Sequence, residues 1–158
     1  MIAHEISHQW FGNLVTMKWW DDLWLNESFA NMISFMAMDE GGGIMQDFNL
    51  SWNIFLNEQY WGLSEDQKDT SHSIASNVVN TGVAQDVFDG ISYGKGAAFL
   101  HQMVFFVGKD ILKLGLKTYF NKYKYKNTEL KDFIAELALA SKRKGLPFDF
   151  TQWSESWL

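Results

Sequence analysis

His4 and His8 stand four residues apart with Glu5 beside the first, in the pentamer HEISH. In an α-helix, residues at i and i+4 share a face, so both imidazoles can converge on one metal ion while the glutamate leans toward the remaining coordination position. That is the spacing of a zinc site built to activate a water, and the chemistry it points to is metallopeptidase hydrolysis with Glu5 as general base. Taken alone, the pentamer also fits an exposed amphipathic helix carrying two incidental histidines. A catalytic zinc takes three protein ligands and keeps one position open. Glu27, with 18 residues intervening after His8, can supply the third from a second helix. Most glutamates are surface carboxylates, but Trp24, Leu25, Phe29 and Ala30 set this one in apolar bulk. A carboxylate in such surroundings wants a cation. The sequence therefore predicts one zinc ion per chain, held by His4, His8 and Glu27.

The run HEISHQWFGNLVTMKWWDDLWLNESFA resembles the signature of the gluzincin aminopeptidases of peptidase family M1, which include alanyl, puromycin-sensitive and membrane aminopeptidases. VFDGISYGKGAAFLHQM resembles the family segment carrying the catalytic tyrosine, and FDFTQWSESWL the tryptophan-rich stretch near the end of the catalytic domain. The resemblance implies that Tyr93 donates a hydroxyl to the oxyanion of the reaction; nothing in the residues alone singles it out. It further implies a mainly α fold, the helical part of a thermolysin-like (gluzincin) catalytic domain. Residues 1–158 are expected to be an incomplete M1 catalytic domain, acting on peptide substrates with the rest of a parent polypeptide as partner, and inactive by themselves. The upstream β-rich domain and the GAMEN-type segment that grips the substrate α-amine do not lie in this sequence.

Three positions depart from the family pattern. Ser34 stands where an acidic residue seven positions after the ligand glutamate commonly orients a zinc-bound histidine. Ser28 replaces the usual glycine, and Ser73 a proline after His72. His72 resembles a family position near the active cleft but is read as a solvated loop histidine, and His101 as structural.

Composition narrows the classes. The 158 residues are 47% apolar, with 8 Trp and 13 Phe, which is ample for a core. A net charge of −6 makes nucleic acid a poor partner. There is no cysteine, hence no disulfide framework and no thiol nucleophile. No signal peptide is visible, and no apolar run approaches the ~18 residues of a membrane span.

Periodicity supplies the elements that must position the site. One helix is expected from the start to Trp10, broken at Gly12 and Asn13, followed by an extended or loop segment from Val15 to Trp20. Helices are expected at 25–38, stopped by Gly41 to Gly43, and at 45–60, with a polar loop over 64–73 and no assignment at 77–81. A further helix runs from Lys95 to Gly108 with Leu100, Met103, Val104 and Val107 on one face. Another spans 110–122, and a last is capped by Thr128 and closed by Gly145 and Pro147.

Two other readings suit the same residues. One is a non-catalytic relative or fragment that binds peptide; the other is a zinc hydrolase of the epoxide-opening kind found in the family's leukotriene-hydrolysing member.

Overall fold

A helix that is apolar around most of its circumference belongs in the middle of a protein. Residues Leu23–Glu40 form such a helix, with Trp24, Leu25, Phe29, Met32 and Phe35 all buried and Glu27, Asn31 and Ser34 making a polar stripe. The computed structural model describes residues 2–158. In chain order it comprises α1 (Ile2–Ser7), β1 (Val15–Met17), a 3₁₀ turn (Trp20–Asp22), the central α2 (Leu23–Glu40), α3 (Ile44–Asp47), α4 (Leu50–Asp66) and α5 (Thr81–Asp86). A π-helical segment (Ile91–Lys95) then leads directly into α6 (Gly96–Val107), followed by α7 (Lys109–Tyr123), β2 (Lys126–Thr128), α8 (Leu130–Arg143) and α9 (Phe150–Glu155). The class is mainly α, as expected. Among the described residues no helix is long and apolar enough to cross a membrane.

α1, α4, α6 and the π segment all pack on α2, while α7 and α8 pair antiparallel, Tyr123 meeting Asp132 and Gly115 meeting Leu137. Phe11, just after α1, joins the two halves of the core: its ring stacks on Phe29 of α2 at 4.3 Å and on Tyr119 of α7 at 5.5 Å, and meets Phe133 of α8 edge-on at 5.6 Å. The strand pair β1–β2 fastens the same halves. It is parallel, with Val15 opposite Lys126 and Met17 opposite Thr128.

Several boundaries differ from those the sequence suggests. Met1 lies outside the described residues, and the first helix ends at Ser7, before Trp10; the chain turns because Gly12 takes φ 130°, where glycine is favoured. The helix expected over 45–60 is a short α3 and a separate α4 that continues to Asp66, through the start of the expected polar loop. Thr128 is not the cap of α8. It sits in β2 with its hydroxyl 2.7 Å from Tyr119 Oη, and Glu129 caps the helix through a reciprocal box with Asp132. The strand β2, the helices α5 and α9 and the π segment have no counterpart in the periodicity, being too short to show one.

Candidate metal centre

His4 lies in α1 and His8 one turn on, in the turn that follows; the His8 N–H still bonds the His4 carbonyl at 3.3 Å, so the helical spacing persists past the formal end of α1. The His8 ring is fixed from behind. Its Nδ1 is 3.0 Å from the Phe11 carbonyl, an acceptor only, so Nδ1 carries a proton and, in the neutral ring, it is Nε2 that has a lone pair directed to the cleft. Gly12 leaves room for this ring, since a Cβ there would stand 3.4 Å from His8 Nδ1.

Glu27, in the first turns of α2, brings its carboxylate to both imidazoles. His4 Nε2 and His8 Nε2 are 3.0 Å apart, and Glu27 Oε2 is 3.3 Å from the first and 3.4 Å from the second. A tetrahedral zinc with bonds of about 2.0–2.1 Å requires ligand atoms roughly 3.3 Å apart, so these three donors fit one face of its coordination shell. Two nitrogens and one oxygen are also the donor types zinc takes in catalytic sites. Burial works against ionisation of Glu27, yet the hydrogen bonds from His4 and His8, the His8 charge and the Tyr93 hydroxyl outweigh it and hold the carboxyl down to about 2. The contact with Glu27 in turn raises the His8 imidazole above its ordinary 6.5 against the opposing effect of burial. The cluster is thus tuned to hold positive charge.

Glu5, exposed on α1, and Tyr93, half-buried in the π segment, complete the rim of one cleft of about 630 Å³ that His4, His8 and Glu27 line. The Tyr93 ring lies 6.1 Å from that of His4, nearly parallel. Its phenol is pushed well above its ordinary pKa by burial first, then by the charge and hydrogen bond of Glu27 and the charge of Glu5, so it remains a donor at neutral pH. All five residues singled out in the sequence therefore face the same space. His72 and His101 do not line it; His101 stacks on Trp52 at 4.3 Å. Ser34 lines the cleft, but its hydroxyl is spent on the Asn31 carbonyl at 2.7 Å and supports neither imidazole.

The Peptidase family M1 domain matches residues 1–157. The chain belongs to peptidase family M1. It is 43% identical to "Probable aminopeptidase 2" of Sulfurisphaera tokodaii over 134 residues, which are 84% of this chain and 17% of that protein. It is 38% identical over 158 residues to "Aminopeptidase N" of Streptomyces lividans, covering 99% of this chain and 18% of the relative. "Aminopeptidase Ey" of Gallus gallus is 38% identical over 154 residues, 93% of this chain and 15% of its own length. The chain spans about a sixth of the length of these curated relatives.

Within this M1 chain the cleft holds residues that the sequence reading passed over. Asn31, one turn beyond Glu27 on α2, donates from Nδ2 to Glu58 Oε2 at 3.2 Å and to the Tyr93 carbonyl at 3.3 Å. Its i+4 relation to Glu27 was a usable signal. Ser28, already noted as the departure from the family glycine, lies outside the cleft lining, fully buried, and donates to the Ser92 carbonyl at 2.5 Å. Glu58 arrives from α4 across the cleft, and no sequence spacing announces it.

Proposed function

We propose that the cleft is the zinc centre of an aminopeptidase that removes N-terminal residues from peptides, with His4, His8 and Glu27 as ligands, Glu5 as general base and Tyr93 as oxyanion donor. The spacing of the three donor atoms, matched to the edge of a zinc tetrahedron, carries the reading. The aminopeptidase names of the relatives supply the substrate class. Bound there, zinc would act as a Lewis acid toward the scissile carbonyl and bring the pKa of a water near 7.

The protein groups then divide the remaining work. Glu5, on the exposed rim and adjacent in sequence to a ligand, accepts the proton of the attacking water and delivers it to the departing amine. Glu27 stays ionised throughout the working pH range because its partners hold its carboxyl so low. Tyr93 keeps its proton and donates it as a hydrogen bond to the carbonyl oxygen as negative charge develops there. The Phe11 carbonyl holds the His8 tautomer so that Nε2 is free to bind.

Elemental analysis and turnover of aminoacyl amides, measured on the full-length enzyme that carries this chain, test this together. Purified protein is expected to hold one zinc per chain and His4→Ala to lose it. Glu5→Gln should keep zinc and lose at least about 10²-fold in turnover. Zinc retained by His4→Ala, or turnover retained by Glu5→Gln, overturns the assignment.

A further inference from the structure

Tyr93 sits in a π-helical segment, where i to i−5 bonds such as that from the Gly96 N–H to the Ile91 carbonyl make the backbone wider than an α-helix. Two of its carbonyls and two of its N–H groups are met by side chains. The Ser92 carbonyl accepts from Ser28, and the Tyr93 carbonyl from Asn31. At the front end Asp89 Oδ1 accepts the N–H groups of Ile91 and Ser92 at 2.9 and 3.2 Å. The second oxygen of that carboxylate, Oδ2, is 3.1 Å from His72 Nε2. A carboxylate can only accept, so His72 Nε2 carries the proton of this bond.

His72 is itself held firmly. Its Nδ1 is 2.7 Å from the Ser73 carbonyl and 2.9 Å from Ser76 Oγ, so the ring is gripped on both sides. Ile74, two residues on, is buried in the main core. Val78 is tied to the 3₁₀ turn, its N–H donating to Asp21 at 2.6 Å and its carbonyl accepting from Trp19 Nε1 at 2.5 Å. The preceding residue, Ser71, donates to Asp66, which also pairs with Lys95 at the far end of the π segment at 2.8 Å. The loop therefore fastens the front end of the segment that presents Tyr93, and Asp66, the last residue of α4, fastens the far end and is itself bonded to the loop through Ser71.

We infer that His72 and Asp89 are positioning residues for the Tyr93 hydroxyl: the imidazole fixes the carboxylate, the carboxylate fixes the two amides, and the amides fix the turn that aims the phenol into the cleft. The kinetic consequence rests on the role proposed above for Tyr93; the geometric one does not. A displacement of about 1 Å at a reacting group can cost on the order of 10²-fold. A residue that acts only by aiming Tyr93 must lose its effect once the phenol is gone.

The test is a double-mutant cycle read by kinetics and by NMR of protein labelled at tyrosine Cζ. His72→Ala is expected to lower kcat about tenfold with KM within about twofold, and to cost less than about twofold in a Tyr93→Phe background. His72→Gln, which keeps an N–H near the Nε2 position, should restore most of the turnover. In the spectra the Tyr93 signal, identified by its loss in Tyr93→Phe, should move in His72→Ala and return in His72→Gln, while that of Tyr119 stays in place. Should His72→Ala not fold, Asp89→Asn replaces it, since one amide oxygen still caps the turn but an NH₂ now faces the His72 N–H. An unmoved Tyr93 signal, or equal losses with and without the phenol, overturns the inference. The kinetics are read on the full-length enzyme that carries this chain; absence of turnover in its unsubstituted form would instead sink the proposed activity and leave the Tyr93 signal to decide the positioning.

Discussion

At the scale of single residues, the three donors behave as one unit in the metal-free protein, and pH should reveal it. Glu27 titrates near 2 in the fold against an ordinary 4.5, so its contribution to stability is present above about 4.5 and is lost as pH falls toward about 2. His8 is shifted upward from 6.5, so its contribution is present below 6.5 and fades as pH rises through the raised value. Stability from the pair is therefore greatest between about 4.5 and 6.5. Urea unfolding of chelator-treated protein across pH 3 to 8 should show this maximum, and Glu27→Gln should flatten it; an unchanged profile in that variant would refute the coupling. These residues were legible in the sequence because helical periodicity fixes the facing of His4 and His8, and because Glu27 stands among aromatics. His72 was not. Its partner, Asp89, is 17 residues away across a loop, and nothing in local spacing records a contact of that kind.

At the scale of elements, the site depends on how closely α4 approaches the π segment. The approach is backbone to backbone, through Gly62 on α4 and Gly90 and Gly94 beside Tyr93. A Cβ on Gly62 would stand 2.5 Å from the Lys95 nitrogen and 3.0 Å from the Gly90 carbonyl oxygen. Helix propensity alone favours alanine over glycine at position 62 by about 1 kcal/mol. Backbone atoms cannot swing aside as a side chain would, so the contact reverses the sign. Gly62→Ala is expected to destabilise the protein by about 1–3 kcal/mol and to lower turnover more than zinc content, because the π segment moves and α1 does not. A stabilised variant would show that the two backbones have room to separate. The long helices α6, α7 and α8 were readable from their apolar stripes, and Leu100, Met103, Phe133 and Leu137 are buried as those stripes require. The π segment was not readable, because a single widened turn is specified by partners such as Ser28 and Asn31 on another helix rather than by its own residues.

At the scale of the whole molecule, one principal core runs from Phe11 through the central helix to Phe150, and the His4, His8 and Glu27 cluster is attached to it at Phe11. The carbonyl of Phe11 holds His8, while its ring lies between Phe29, Tyr119 and Phe133. The strands that close this arrangement pair Met17 with Thr128, a contact so distant in sequence that no local pattern predicts it. Phe133 touches none of the proposed ligands, yet it packs against the residue that orients one of them. Phe133→Ala should therefore cost about 3–5 kcal/mol, the usual range for emptying a buried aromatic site. Because the same core supports both halves, zinc release and loss of helical signal should remain one transition and shift together to lower urea. Followed by a zinc-sensitive dye and by circular dichroism on the same samples, two separated midpoints would show that the α1 region comes away from the core by itself; coincident, equally displaced midpoints are the expected result.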